Sequence, residues 1–227
     1  MCGRFALSAK TKSIEKLLPS VKIPEDMKAR YNIAPTQDVA VVLNDGNNEL
    51  TSAKWGLIPF WAKDTSIGNK MINARAETLL EKPSFKNLFK HKRCVILADG
   101  FYEWQKQGGK ARNVPYLIKM KTGEPFAFAG LWDNWTDKSS GEEIISTVII
   151  TTDPNELMMN IHNRMPVILS PDKIDLWLED GNENLQELES LLKPYPADEM
   201  ESYQVSFTVN NPSIDDISCI QPANSIF

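Results

Sequence analysis

The sequence predicts an α+β domain built on a curved or barrel-like sheet. Short runs rich in β-branched and aromatic residues crowd residues 93–151 between turn signals. Helical spacing is confined to brief segments near 11–18 and 84–89 and to an acidic stretch after residue 171. No internal repeat, low-complexity tract or linker interrupts the 227 residues, so residues 1–227 read as one domain.

Along the chain, Ile14, Leu17 and Leu18 share one side of a short helix over Thr11–Leu18, which Pro19 ends. Asp38–Asn44 is expected as a strand. It turns at Asn44-Asp45-Gly46 into a second strand over Glu49–Leu57. Phe85, Leu88 and Phe89 stand at helical spacing within Ser84–Phe89. Strands are expected over Arg93–Ala98, Phe101–Trp104, Tyr116–Met120, Phe126–Trp132 and Ile144–Thr151. Asp153-Pro154 carries the signature of a helix start, a capping residue followed by proline, and that helix would end near His162. Ser170-Pro171 repeats the signature and opens the acidic helical region, which Gly181 breaks. A last strand spans Tyr203–Val209, and the tail from Pro212 is irregular.

Hydrophobic residues make up 42% and charged residues 24%, the balance of a chain with enough apolar matter to bury a core. No apolar run approaches the roughly 18–20 residues needed to cross a membrane, and no signal peptide is visible, so a cytoplasmic protein is expected. The three cysteines (Cys2, Cys94, Cys219) and two histidines (His91, His162) lack the spacing of a disulfide framework or a zinc site, and no metal or cofactor is expected. The net charge of −5 is unevenly spread. Residues 172–201 hold ten acids against Lys173 and Lys193, leaving +3 for the remainder, so an acidic face can coexist with a basic groove. The stretch from Lys82 to Arg93 has five basic residues and no acid, and reads first as a solvated helix face.

The opening Met1-Cys2-Gly3-Arg4-Phe5 carries the most specific chemistry. Once Met1 is removed, Cys2 presents an α-amine and a thiol on adjacent carbons, with ordinary pKa values of about 8 and 8.5. The amine condenses with an aldehyde and the thiolate closes onto the same carbon, giving a five-membered thiazolidine. Three further polar clusters interrupt the apolar pattern: Asn73-Ala74-Arg75 with Glu77, Asp99-Gly100-Phe101-Tyr102-Glu103, and His162-Asn163-Arg164. A Met-Cys-Gly opening also suits an N-terminal nucleophile amidohydrolase of the glutaminase type. A non-catalytic single-stranded DNA-binding module is a third reading.

The ordered series MCGRF, YNIAPTQ (31–37), WGLIPFWAKD (55–64), NARAET (73–78), RCVILADGFYEW (93–104) and IHNRMPVIL (161–169) resembles the SOS response-associated peptidase (SRAP) family, from residue 2 to about 211. The resemblance implies a β-rich pseudo-barrel of mixed and antiparallel sheet with short flanking helices. It implies recognition of abasic sites in single-stranded DNA and a covalent thiazolidine crosslink through Cys2 that shields the lesion. By position, Asn73, Glu103 and His162 match the family's other active-site residues, and Arg4, Arg75 and Arg164 match its DNA groove. The peptidase label reflects autocatalytic removal of residues before the cysteine, and here only Met1 precedes it. Glu103 would shuttle the proton of imine formation, and His162 would protonate the ring on reversal. Asn73 would hold the amine or a sugar oxygen. Phe60, Trp61 and Pro35 are candidates to stack on bases flanking the lesion. A monomer is expected, cytoplasmic and nucleoid-associated when bound to DNA.

Overall fold

The computed structural model describes residues 2–109 and 112–223. The chain runs through β1 (Phe5–Leu7), α1 (Thr11–Leu17), β2 (Arg30–Ile33), β3 (Asp38–Leu43), β4 (Leu50–Trp55), β5 (Asn73–Arg75), α2 (Pro83–His91), β6 (Arg93–Ala98) and β7 (Gly100–Gln105). It continues through β8 (Val114–Met120), β9 (Phe126–Thr136), β10 (Glu143–Thr152), β11 (Met165–Pro166), β12 (Ile168–Leu169), α3 (Ile174–Leu178), α4 (Leu185–Ser190) and β13 (Met200–Gln204).

The strands divide into two layers. Five form an antiparallel sheet in the order β13-β8-β7-β1-β2. The others build a barrel. β10 pairs in parallel with β4, and β4, β3, β6 and β9 follow antiparallel until β9 returns to β10 and closes a ring of five. Closure removes the ring's free edges. β5 extends the ring in parallel beyond β4 on β10, while β11 and β12 cover the ends of β10 and β9. Gly130 sits at the tightest place. A Cβ there would lie 2.5 Å from Ile96 Cδ1 and 2.9 Å from the Val148 carbonyl, so only glycine lets β6, β9 and β10 approach.

A buried aromatic row joins the layers. The Phe5 ring lies 5.1 Å from Trp55 and 5.7 Å from Phe128, and Phe128 meets Phe101 at 6.1 Å and Phe126 at 5.3 Å. Phe5 and Phe101 are opposite one another in the β1–β7 ladder, and Trp55 and Phe128 belong to the barrel. The start of the chain is thereby packed between sheet and barrel.

Most expected elements are present within a residue or two, β9 runs on to Thr136 past the expected Trp132, and two elements and one residue differ. Residues 153–162 form successive turns rather than a helix. The Asn155 side chain accepts from Met158 N at 3.0 Å, capping a tighter turn, while Asp153 is drawn to Arg164. The strand expected over Tyr203–Val209 lies earlier, at Met200–Gln204, because pairing with β8 sets its register; Phe207–Asn210 is a 3-10 turn. Arg93 is not part of a solvated basic face. It is fully buried, and its guanidinium donates to the carbonyls of Trp177 (2.9 Å), Glu179 (2.7 Å), Phe89 (3.2 Å) and Lys90. It thus closes the C-terminal end of α2 onto α3. No described helix is long and apolar enough to cross a membrane.

Arg93→Ala strips those carbonyls of their donor in a buried place. Urea unfolding is expected to show a loss of about 3 kcal/mol, the scale of buried groups left without partners.

Candidate active site

Cys2 lies where the two layers meet. Phe5 pairs with Phe101 and Ala6 with Gly100, and Tyr102 N donates to the Arg4 carbonyl at 2.9 Å, so the ladder carries the chain start alongside Glu103. From the barrel side, β5 brings Asn73, whose Nδ2 donates to the Cys2 carbonyl at 2.8 Å. Asn73 Oδ1 is buried without a hydrogen-bond partner among the described residues. Cys2 is itself fully buried. Burial, reinforced by the Glu103 carboxylate, pushes its thiol well above the ordinary cysteine value.

Glu103 is buried on β7, and burial pushes its carboxyl up to about 7. His162 Nε2 lies 3.9 Å from Glu103 Oε2. The turns of residues 153–162 present the imidazole, with the backbone N–H groups of Ile161 and His162 both donating to the Met158 carbonyl at 2.8 Å. Desolvation lowers the His162 pKa, so the ring is neutral at pH 7. The Arg164 N–H stands 3.1 Å from His162 Nδ1 and can only donate, whereas the Arg164 carbonyl stands at 3.2 Å and would need a proton on the same nitrogen. The backbone hydrogen is fixed, which makes Nδ1 the acceptor in the neutral ring and places the proton on Nε2, facing Glu103.

The arginines are used unequally. Arg164 forks onto Glu77 at 2.7 and 2.9 Å and also donates to Asp153 (3.0 Å) and the Thr151 carbonyl (2.6 Å). Partial burial works against ionisation of Glu77, but the Arg164 fork outweighs it and holds the carboxyl below its usual range. Arg75 is exposed on β5, opposite Thr151 in the ladder with β10. Arg4 turns instead toward the C-terminal segment, donating to Asn32 Oδ1 and the Val209 carbonyl, each at 2.7 Å. Phe60 and Trp61 stand 67% and 55% exposed on the segment between β4 and β5, which leads directly into Asn73. Pro35 opens a tight turn closed by Gln37 N donating to the Ala34 carbonyl, with Thr36 at φ 73°. Met1, whose removal the aminothiol chemistry requires, lies outside the described residues. Among the described residues no group of three or more His, Cys, Asp or Glu side chains stands together as a metal site.

Glu77 was legible only as part of the NARAET run. Its pairing with Arg164, 87 residues away, follows from β5 and β11 flanking the same end of β10.

The SOS response associated peptidase (SRAP) family model matches residues 1–212. The chain belongs to this family. It is 50% identical to the abasic site processing protein YoqW of Bacillus subtilis (strain 168), over 93% of this chain and 95% of that one. It is 32% identical to the abasic site processing protein HMCES of Rattus norvegicus, over 91% of this chain and 69% of the relative. A crystal structure of a protein from Bacteroides thetaiotaomicron superposes with a TM-score of 0.86 at 31% identity, covering 98% of this chain and all of that one. The SRAP fold of this chain is thus a mixed five-stranded barrel with an antiparallel sheet and short helices.

Nitrogen-15 NMR of His162 at pH 7 is expected to show a protonated Nε2 and an unprotonated Nδ1. Conversion to imidazolium is expected only below the ordinary histidine value of about 6.5, because burial lowers the pKa. A protonated Nδ1 would contradict the assigned network.

Proposed function

We propose that this protein processes abasic sites in single-stranded DNA by forming a thiazolidine crosslink through Cys2 after loss of Met1. The observation that carries the reading is the meeting of Cys2, Asn73, Glu103 and His162 at one seam, in a family whose relatives bear the name abasic site processing protein. In this mechanism the Cys2 α-amine adds to the C1′ aldehyde of the ring-opened sugar to give a carbinolamine. Glu103, protonated below about 7, donates the proton with which hydroxide leaves as water, so a protonated imine remains and Glu103 becomes the carboxylate. The Cys2 thiol then gives its proton to the Glu103 carboxylate as its sulfur adds to the iminium carbon, and the ring nitrogen keeps its own N–H, so Glu103 ends as it began. The net change is aldehyde plus aminothiol to thiazolidine plus water. Asn73 fixes the Cys2 carbonyl and offers Oδ1 to the amine. His162, neutral with its proton toward Glu103, is the second station for that proton and the acid for ring opening.

Phosphate contacts fall first to Arg75, the exposed cation beside Asn73, while Arg164 and Arg4 are largely engaged within the protein. Phe60 and Trp61 offer faces to bases next to the lesion.

Protein lacking Met1 is expected to form a heat-stable adduct with an abasic oligonucleotide, read by denaturing gel and intact mass. Cys2→Ala abolishes it, whereas an equally stable adduct from Cys2→Ser would rule out closure through sulfur. Glu103→Gln is expected to slow single-turnover crosslinking by about 10²–10⁴-fold with little change in affinity for intact DNA. The ratio of the wild-type rate to the Glu103→Gln rate should fall as pH rises through about 7, since Glu103 loses its acid form there while the titration of the attacking amine is common to both. Arg75→Ala should reduce the slope of log affinity against log salt by about 0.7, one phosphate's share on a single strand. An unchanged slope would remove Arg75 from the interface.

A further inference from the structure

The segment 56–71, between β4 and β5, displays two aromatic side chains to solvent yet is tied down along its length. Gly56 N donates to the Thr147 carbonyl (2.9 Å), Leu57 N to the Met71 carbonyl (3.0 Å) and Ile58 N to Ser146 Oγ (2.8 Å). Phe60 N donates to Asp133 Oδ2 (2.8 Å), and Trp135 Nε1 donates to the Ala62 carbonyl (2.8 Å). The base is closed by backbone on backbone: a Cβ on Gly56, at φ 130°, would sit 2.6 Å from the Gly68 carbonyl oxygen, and one on Gly68 2.7 Å from that of Gly56. Side-chain ties from β9 and β10 therefore bracket the exposed pair Phe60-Trp61 on both sides.

Asp133 is the centre of this bracket. It is 1% exposed on β9, where an acid has no packing reason to stand. Its Oδ1 accepts from Lys92 Nζ (2.7 Å) and Asn134 N (3.0 Å), which leaves Oδ2 for Phe60 N. Lys92 is itself fixed over the Trp132 ring, 5.0 Å from its centroid. A buried carboxylate tied on one side by a lysine and on the other by a loop amide sets where that loop begins its turn. The alternative of an apolar residue would leave the Phe60 N–H without an acceptor.

We infer that Asp133 is a positioning residue that holds the Phe60–Trp61 pair as a preformed stacking platform, so that DNA meets two ordered aromatic faces. This rests on the proposed DNA-binding function and adds how the protein meets the ordering cost of a loop that binds bases.

The test is a double-mutant cycle read by anisotropy of an intact fluorescein-labelled oligothymidine. Asp133→Ala alone is expected to weaken binding about fivefold or more, the lower end of what base stacking on one aromatic contributes. In a Phe60→Ala/Trp61→Ala background the same change should have little further effect. Asp133→Asn, which retains an acceptor for Phe60 N, should recover most of the affinity. Intact mass after incubation with propanal should show Cys2 of Asp133→Ala modified as fast as in the wild type. An equal loss in both backgrounds would make Asp133 a general stabiliser and overturn the inference, as would no loss, or no binding of intact DNA by the wild type. Should Asp133→Ala fail to fold, Trp135→Phe removes the Ala62 tie while keeping an aromatic ring, and unchanged affinity there overturns the inference too. Platform-dependent binding without any abasic crosslink would sink the crosslinking reaction and leave the role of Asp133 standing; crosslinking indifferent to Asp133 would do the reverse.

Discussion

The antiparallel ladder between β1 and β7 is the constraint on which the site depends. A chain terminus ordinarily frays because ordering it costs entropy that few contacts offset. Here three residues of β1 are held between β2 and β7, and Phe5 is buried against Trp55 and Phe128. Both sides of the strand are committed, to hydrogen bonds in the sheet and to aromatic packing against the barrel. Cys2, three residues before the strand begins at Phe5, is consequently delivered to one place, and the Asn73 bond to its carbonyl finishes the alignment.

Once the seam is closed, one physical effect leads in the shift of Cys2, Glu103 and His162 alike. Desolvation penalises charge whatever its sign, so the Cys2 thiol and Glu103 carboxyl move up while His162 moves down. At pH 7 the thiol and the imidazole are neutral, and Glu103 stands near its midpoint. Donors and acceptors that carry little charge and lie within reach of one another can pass a proton with little charge separation, which suits the proposed reaction. A few ångströms away the logic reverses: Glu77 stays ionised because Arg164 presents a bidentate partner. That pair joins β5 to the end of β10 and to the turn carrying His162, so an ion pair at the rim braces the segments around Glu103 and His162.

Charge on the outside follows the division seen in the composition. The acids of residues 172–189 are exposed on α3, α4 and their flanking turns, whereas Arg75 stands beside Asn73. Net charge therefore says little about what this surface can bind, since fields are local over about 8–10 Å at physiological salt. The most conspicuous apolar exposure, Phe60 with Trp61, sits on the segment that runs from the barrel into Asn73. Rigid support from β9 and β10 makes that exposure a property of the fold rather than of a loose loop.

The sequence by itself determined the family and most of the long strands. Cys2 after Met1, the six ordered motifs and the alternating runs over 93–151 are local patterns, legible because side-chain type and period suffice to read them. Short strands such as β1, β2 and β5 were not legible, because three or four residues carry too little periodicity and exist only through their partners. The same holds for 153–162, where a good helix-start signature yielded to Asn155 capping a turn and Arg164 claiming Asp153. Tertiary structure alone decided that Arg93 is a buried clasp rather than a surface cation, that Arg4 faces Asn32 and Val209, and that Asp133 reaches Phe60 across 73 residues of sequence. Each depends on which carbonyls, amides and carboxylates the packing of sheet, barrel and helices brings within about 3 Å of one another, and that distance is a property of the packed fold, absent from any stretch of sequence read alone.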